Sequence, residues 1–423
     1  MVKTALILAI DKKGLQPVFG VPAVRRLVLL LSGMGLEEVH VVGNQGSLSP
    51  ILSDLLPSAR WHDPGNPAWL NEMLKGPYFS GQVLVLKGNL VVDRGSLAEV
   101  IRSAGDPDSL LLEACRRRNG RGIFVVKKEE LPGLMRALWA PGQGDGATLD
   151  RVQGVTDARG LPYLMGPERE SIAIAEDGLV AGLAATTAKT DGFMARHFDR
   201  RLSRLVSRRI ARTPLTPNTI TLFNVAIGLA GAYLFSRRGY WAHVAGSLIF
   251  ILSVILDGVD GEVARLKLKE TVFGRYLDVI TDNIVHVALF IGIALGVARE
   301  TGNGQYLYVL GILLGGFALC AIAMGRVLRP GSDGTRPEAL DKLTGLLANR
   351  DFAYLLIIFA LLNGLEWFLI SAAAGTYLFA ASVFFLDVRR RKLPSPQYMN
   401  APVDDDISRV AAHENRGQHE HRT

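Results

Sequence analysis

The chain has 423 residues, 49% of them hydrophobic, and a formal net charge of +7. This length is enough for two domains, since a domain typically uses ~100 to 200 residues. The two cysteines, Cys115 and Cys320, lie in different halves without a CxxC partner, so they support neither a disulfide framework nor a zinc site and indicate a reducing, intracellular setting. The basic charge does not indicate nucleic acid, because the arginines cluster beside apolar segments, where anionic lipid head groups and the positive-inside bias account for them.

Residues 1–190 alternate short β-rich runs with amphipathic helical stretches. The β-rich runs are KTALILAI, EEVHVVGN and QVLVLKGN, and the helical stretches include PAVRRLVLLLSGMG and GSLAEVIRSAG. This alternation predicts an α/β domain with a mostly parallel sheet. The opening MVKTALILAI is too short an apolar run for a cleavable signal peptide, so we expect it to form the first strand.

Residues 191–215 connect this domain to the apolar half of the chain. The stretch DGFMARHFDRRLSRLVSRRIAR places Phe198, Leu202, Leu205 and Ile210 among many arginines. This composition predicts an interfacial amphipathic helix that leads into a membrane. An ordinary solvated linker helix is the alternative.

Six candidate membrane spans follow, at 219–235, 241–261, 276–298, 305–325, 351–364 and 366–387. Several are close to the ~20 residues that a bilayer requires, although the fifth is short. Basic residues follow the second, fourth and sixth spans, which predicts that both termini lie on the cytoplasmic side of the cell membrane. We therefore expect an all-α bundle of six transmembrane helices at 216–392 and a disordered polar tail at 393–423.

Four aspartates lie beside two of these spans: Asp257, Asp260, Asp278 and Asp282. The first two share a helix face with the small residues Gly261 and Ala264, and the last two are spaced i, i+4 on the next span. Two facing helices would bring four carboxylates together at the cytoplasmic end of the bundle, where unpaired like charges are costly. Divalent cations such as Mg²⁺ or Mn²⁺ remove this conflict, and two such ions can bridge a diphosphate.

Other interpretations of these carboxylates remain open. Membrane carboxylates also serve ion or proton translocation, and spacing alone does not separate a transporter from an enzyme. One or two of the aspartates could instead pair with Arg265, Lys267 or Arg275 in a solvated loop. A third alternative is an inactive membrane scaffold that presents the first domain.

The pattern D-x2-D-G-x2-A-R-x8-G-x3-D-x3-D, from Asp257 to Asp282, resembles the complete signature of the CDP-alcohol phosphotransferases. The TPNTITL segment and the number of spans extend this resemblance over residues 191–392. The resemblance implies that all four aspartates bind the metal ions, two Mg²⁺ or Mn²⁺, and that Asp282 is also the general base. It implies that six further residues lie around the CDP moiety: Asn218, Thr221, Gly261, Ala264, Arg265 and Gly274.

The chemistry that this resemblance implies is transfer of a substituted phosphate group from a CDP-alcohol to an acceptor alcohol, with release of CMP. Four residues after the fourth span are candidates for binding a phosphate on the acceptor: Arg326, Arg329, Asn349 and Arg350. Arginines grip phosphate by bidentate hydrogen bonds, but arginines at these positions could equally extend towards the membrane surface without a substrate. The resemblance also implies a homodimer, although no span carries a clear GxxxG on an otherwise free face.

The first domain resembles the cytidylyltransferase half of bifunctional inositol-1-phosphate cytidylyltransferase and di-inositol phosphate phosphate synthases. The resemblance is to an architecture, a nucleotidyltransferase-like (Rossmann-like) fold, and the family's motifs are mostly missing. The first strand continues as IDKKGLQPVFG instead of a GxGxR loop, and Asn89 stands where that family has a metal-binding aspartate. We therefore expect a degenerate domain that binds, docks or regulates, in which Lys12, Lys13 and Lys87 could hold an anion and Asp93 is the nearest alternative carboxylate.

Overall fold

The computed structural model describes residues 2–55, 59–64, 82–103, 112–113, 122–139, 153–154, 163–166, 168–187, 198–327 and 352–392. The described residues before position 188 combine strands and helices, and those from position 198 onward form helices only. The strands are β1 (Thr4–Ala9), β2 (Pro17–Val18), β3 (Val21–Pro22), β4 (Glu38–Gly43), β5 (Arg60–His62), β6 (Gln82–Lys87), β7 (Leu90–Val91), β8 (Leu112–Glu113), β9 (Ile123–Lys127), β10 (Gln153–Gly154) and β11 (Tyr163–Leu164).

The first part of the chain is built on a five-stranded sheet in the spatial order β5, β4, β1, β6, β9. Neighbouring strands are parallel except β9, which is antiparallel to β6. In the part of the domain that the structure describes, five helices accompany the sheet: α1 (Ala23–Ser32), α2 (Gln45–Leu52), α3 (Arg94–Ser103), α4 (Leu131–Trp139) and α5 (Arg169–Thr187). The predicted α/β domain with a mostly parallel sheet is confirmed.

Both faces of the sheet are buried, as expected for parallel strands covered by helices. In β1, Ile7 packs in the cluster that contains Leu27 of α1 and Leu97 of α3. The next residue, Leu8, packs in the opposite cluster with Leu134 of α4. The apolar run of the first strand therefore follows directly from burial on two sides.

Within residues 198–327 and 352–392, the second part of the chain forms helices α6 (Arg200–Ile210), α7 (Pro217–Phe235), α8 (Tyr240–Lys267), α9 (Val272–Thr301), α10 (Gln305–Val327), α11 (Phe352–Leu361) and α12 (Leu365–Lys392). Among the described residues, five helices are long and apolar enough to cross a membrane, namely α7 to α10 and α12. Helix α11 is shorter, with 10 residues. Of the six predicted spans, five thus have a helix of sufficient length, and the fifth span, 351–364, stays a prediction.

The helix ends beside the aspartates follow local chemistry. Helix α7 begins after Thr216, whose hydroxyl accepts a hydrogen bond from the backbone N–H of Thr219, and Pro217 occupies the first helical position. Helix α8 ends at Lys267, and the following residue, Leu268, adopts a left-handed conformation with φ of 53°. Helix α9 then begins after Thr271, whose side chain accepts from the N–H of Gly274. The short connection between the two helices makes them neighbours, so their aspartates meet.

Glycines allow α7 and α9 to pack closely. A Cβ atom at Gly292 would lie 2.2 Å from the carbonyl oxygen of Ala232, and one at Gly296 would lie 2.0 Å from that of Phe235. These two glycines are four residues apart and face another helix of the same chain. This GxxxG is therefore occupied within the bundle.

Candidate active site

Three of the four aspartates converge between α8 and α9. One carboxylate oxygen from each of Asp257, Asp278 and Asp282 lies within 4.8 Å of the other two, with Asp257 buried and the other two half-buried. Ligand oxygens on opposite sides of an octahedral Mg²⁺ are about 4.2 Å apart, so these carboxylates match the size of such a site after a small adjustment. Oxygen-only ligands also suit a hard cation. The donor set therefore fits the divalent metal that the sequence predicted.

The fourth aspartate, Asp260, lies one helical turn after Asp257 and is also buried. Its Oδ2 accepts a hydrogen bond from the hydroxyl of Thr221 on α7 at 2.5 Å. Asp260 lines the adjacent cleft with Asp278 but is outside the group of three that meets within 4.8 Å. Thr221 thus orients this carboxylate from the neighbouring helix.

A cleft of about 250 Å³ opens beside these carboxylates. Its lining includes all six residues predicted to lie around the CDP moiety, which are Asn218, Thr221, Gly261, Ala264, Arg265 and Gly274. These residues come from the start of α7, the end of α8 and the start of α9. The structure therefore brings the predicted donor-binding residues together next to the predicted metal ligands.

Neighbouring side chains limit the size of the residue at position 274 and hold Arg265 in place. A Cβ atom at Gly274 would lie 3.0 Å from the hydroxyl oxygen of Thr271 and 3.2 Å from Oδ1 of Asn218. Arg265 folds back along α8, and its Nε donates to the carbonyl oxygen of Gly261 at 3.1 Å. A larger residue at position 274 would therefore push into the cleft, whereas the guanidinium of Arg265 is held at its wall.

The sequence analysis did not predict five further residues that line the cleft: Pro217, Lys269, Glu270, Thr271 and Arg275. Thr271 carried a usable signal, since a threonine directly before an apolar helical stretch is a typical N-cap. No sequence signal identifies the other charged residues of the cleft, Lys269, Glu270 and Arg275, because they only form part of a charged loop.

A buried carboxylate on the opposite side of α8 was also missed. Glu262 accepts hydrogen bonds from the hydroxyls of Ser203 and Ser207 at 2.8 Å each, and Arg200 lies 3.4 Å from it. The three partners are on one face of α6. This contact fixes α6 against the helix that carries Asp257 and Asp260.

The predicted acceptor residues are only partly described. Arg326 is exposed and its guanidinium lies 5.6 Å from the centre of the Phe384 ring, a cation–π contact. Among the described residues, those that line the cleft do not include Arg326. Arg329, Asn349 and Arg350 lie outside the described residues.

The first domain has a larger cleft, of about 640 Å³, at the carboxyl ends of β1 and β6. Lys13, Lys87 and Asn89 line it. The Asn89 amide is engaged, because its Nδ2 donates to the carbonyl oxygen of Met165 at 2.7 Å. Asp93 accepts at 2.8 Å from both the N–H and the hydroxyl of Ser96, so it caps α3.

Comparison with known proteins agrees with this geometry. Residues 214–386 match the family model described as CDP-alcohol phosphatidyltransferase. The resemblance that the aspartate signature predicted is therefore confirmed for this segment.

Two curated relatives carry the name bifunctional IPC transferase and DIPP synthase. The protein from Aquifex aeolicus is 31% identical over 105 residues, which cover 25% of this chain and 23% of the relative. The protein from Rubrobacter xylanophilus is 29% identical over 196 residues, which cover 46% of this chain and 41% of the relative. The chain thus spans less than half of the length of these relatives.

Among solved structures, the inositol-1-phosphate CTP transferase from T. maritima is similar with a TM-score of 0.31 at 12% identity. The match covers 42% of this chain and 96% of that structure.

Proposed function

We propose that this chain is an integral membrane CDP-alcohol phosphotransferase, which transfers a substituted phosphate group from a CDP-alcohol to an acceptor alcohol and releases CMP. One observation carries the proposal. Three carboxylates whose oxygens lie within 4.8 Å of one another adjoin a cleft lined by all six residues predicted to bind CDP. The match of residues 214–386 to the CDP-alcohol phosphatidyltransferase family supports the same reaction type.

In this proposal the residues around the cleft hold the donor. Asn218, Arg265 and the Gly261–Ala264 face bind the CDP moiety, and the absence of a side chain at Gly274 leaves room for it. Asp257, Asp260, Asp278 and Asp282 would hold two Mg²⁺ or Mn²⁺ ions. When bound, divalent cations neutralise charge on the diphosphate and on the departing CMP.

The reaction then requires one proton transfer and one displacement. Asp282 accepts the proton of the acceptor hydroxyl, and the hydroxyl oxygen forms a bond to the β-phosphorus of the CDP-alcohol. The bond between that phosphorus and the bridging oxygen breaks, and CMP leaves with this oxygen. The product is a phosphodiester, and the proton remains on Asp282 until solvent removes it.

The membrane arrangement is part of the proposal. We infer six spans, with α11 as the fifth, and both termini and the cleft on the cytoplasmic side. The exposed side chains of Phe198, Leu202 and Leu205 on and beside α6, each at least 37% exposed, support a helix at the membrane surface. The proposed units remain 1–190, 191–215, 216–392 and 393–423, and a homodimer is the expected assembly.

The donor class is the finer part of the proposal. We propose a polar donor such as CDP-inositol and an inositol phosphate acceptor, and the name DIPP synthase of the two curated relatives supports inositol phosphate chemistry. Arg326, Arg329, Asn349 and Arg350 are the candidate acceptor residues.

CMP release by the purified protein in lipid vesicles with Mg²⁺ tests this function. CDP-inositol, CDP-glycerol and CDP-diacylglycerol are supplied in parallel, each with inositol phosphate or glycerol phosphate. We expect CMP that depends on both the acceptor and Mg²⁺ from one pairing, which also names the substrate class. Protein that neither releases nor binds CMP would contradict the enzyme and favour a carboxylate-lined transporter or a scaffold.

We further propose that the first domain no longer makes the CDP-alcohol. The engaged amide of Asn89 and the capping role of Asp93 support this view, since neither offers a free carboxylate for a metal. The test is pyrophosphate release from CTP and inositol phosphate by the whole chain with Mg²⁺. We expect none above background, and sustained release would overturn the proposal.

A further inference from the structure

The first domain and the helical part share an apolar cluster behind the aspartate-bearing helix. From the first domain it contains Val18, Phe19, Ala23, Val91, Met165, Ala175 and Leu179. From the helical part it contains Ala211, Ile220, Val259, Val263 and Leu266. Because these residues are buried together, the first domain is seated directly on α8 rather than connected only through a linker.

The β2–β3 hairpin inserts into this junction. At its tip, Phe19 adopts a positive φ of 50° and is 1% exposed. Its backbone N–H donates to the buried Glu176 of α5 at 3.3 Å, and Glu176 also accepts from Nε of Arg212 at 3.0 Å. A bulky residue in left-handed conformation is costly, so the packing around it must hold the hairpin in place.

Arg26 of α1 connects this junction to the end of α8. Its side chain is buried, and Nη1 donates to the carbonyl oxygen of Leu266 at 2.6 Å and to that of Val18 at 3.4 Å. The last carbonyls of a helix lack intrahelical partners and lie at the negative end of its dipole, so a buried guanidinium is well suited to satisfy them. Burial lowers the pKa of Arg26 to about 10, while nearby Glu176 acts to raise it, and the group stays charged at neutral pH.

The helix end that Arg26 contacts forms a wall of the candidate active site. Leu266 directly follows Arg265, and Ala264 accepts a hydrogen bond from the N–H of Lys269 at 2.8 Å where the helix stops. Both Ala264 and Arg265 line the cleft. Asp257 lies more than two turns further into the helix, so a change at Leu266 reaches the donor-binding wall before it reaches the carboxylates.

We propose that Arg26 is a positioning residue, through which the first domain fixes the last turn of α8 and thereby the CDP-binding wall formed by Ala264 and Arg265. The expected effect of Arg26 on KM rests on the proposed function. Its expected effect on the last turn of α8 does not. Without the guanidinium, the last turn of α8 loses a charge-assisted hydrogen bond in a buried setting, which is a costly loss.

The test compares Arg26→Gln and Arg26→Lys with the matched control Arg25→Gln. Arg25 is the neighbouring residue on α1, and its guanidinium pairs with exposed Asp54 at 2.6 Å, away from the junction. We expect Arg26→Gln to raise KM for the CDP-alcohol at least about tenfold with a smaller change in kcat, because misplaced binding groups weaken productive binding. Arg26→Lys keeps the charge and restores part of this loss, and Arg25→Gln stays near the wild-type values.

Hydrogen exchange of the backbone amides of Leu268 and Lys269 provides a readout independent of turnover. Both amides donate back into the last turn of α8, to Arg265 and Ala264. We expect faster exchange in Arg26→Gln than in Arg25→Gln. Equal exchange and equal KM in these two variants would overturn the proposal, as would a loss confined to kcat.

The experiments distinguish failure of the proposed function from failure of the proposed role of Arg26. Wild-type protein that releases no CMP would contradict the proposed function, and the exchange comparison would then decide the role of Arg26 alone. If Arg26→Gln does not fold, Arg26→Lys decides the matter by the same two measurements. If the lysine variant has the same KM and the same amide exchange as the wild type, the proposal that position 26 requires a guanidinium is wrong.

Discussion

The hydroxyl of Thr221 donates to Oδ2 of Asp260 at 2.5 Å and so links α7 to the aspartate-bearing face of α8. Both residues are buried and both line the cleft. Groups that orient a metal ligand typically contribute 10- to 100-fold to metal affinity. The first prediction follows from this contact.

Thr221→Val removes the hydroxyl and keeps the shape of the side chain. We expect Mg²⁺ affinity, measured as the Mg²⁺ dependence of CMP release, to fall at least about tenfold because Asp260 loses its orienting partner. Thr221→Ser keeps the hydroxyl and serves as the control, with affinity near that of the wild type. A valine variant with unchanged Mg²⁺ dependence would mean that Asp260 does not act on the metal.

Asp282→Asn tests the proposed base. Removing a general base typically costs at least ~100-fold in turnover, so we expect such a loss with intact folding and retained metal-dependent nucleotide binding. The neighbouring Asn283→Ala is the matched control, since the Asn283 amide donates to the carbonyl of Val279 in the same helix and lies outside the three-carboxylate group. Turnover near the wild-type level in Asp282→Asn would rule out the assigned role.

Much of the candidate site could be predicted from the sequence because helix periodicity is local. The i, i+3 spacing of Asp257 and Asp260 and the i, i+4 spacing of Asp278 and Asp282 set which residues share a face. The short connection between α8 and α9 then brings the two faces together. The same periodicity placed Gly261 and Ala264. The other cleft residues came from the resemblance to the CDP-alcohol phosphotransferases, and the contact of all six with CDP stays a prediction.

The supporting contacts could not be predicted, because they join residues that are distant in sequence. Arg26 meets the carbonyl of Leu266 across 240 positions, and Glu262 meets Ser203 across 59. Neither pair leaves a periodic or motif-like signal. The capping role of Asp93 was within reach, since an aspartate directly before a helical stretch is a typical N-cap.

Close packing of α9 against α7 predicts a large stability effect at Gly292. In Gly292→Ala, the new Cβ atom would lie 2.2 Å from the carbonyl oxygen of Ala232, so the two helices must separate. Overpacking of this kind costs about 1 to 3 kcal/mol in the free energy of unfolding. Thermal unfolding in detergent measures it. Gly311→Ala is the control, because nothing lies within 4 Å of its added Cβ, and an unfolding midpoint equal in the two variants would contradict the packing.

A histidine pair in the first domain predicts how stability depends on pH. Nδ1 of His40 lies 2.8 Å from Nε2 of His62, and Arg60 and Glu38 are the charged neighbours. Burial, followed by the charges of His40 and Arg60, lowers the pKa of His62 from 6.5 to about 4. Burial likewise lowers the pKa of His40, against the opposing effect of Glu38.

The sign of the effect follows from these directions. Because the folded state binds a proton on His62 less readily than the unfolded state, stability falls as the pH drops from 6.5 towards 4. We expect the unfolding midpoint of His62→Gln to fall by about 2 to 4 °C less than that of the wild type between pH 7 and pH 5. Acidic groups elsewhere are common to both proteins, so the difference between the two pH profiles reports the titration of His62. Parallel pH profiles in thermal unfolding would show that His62 titrates normally and that the pair does not exclude protons.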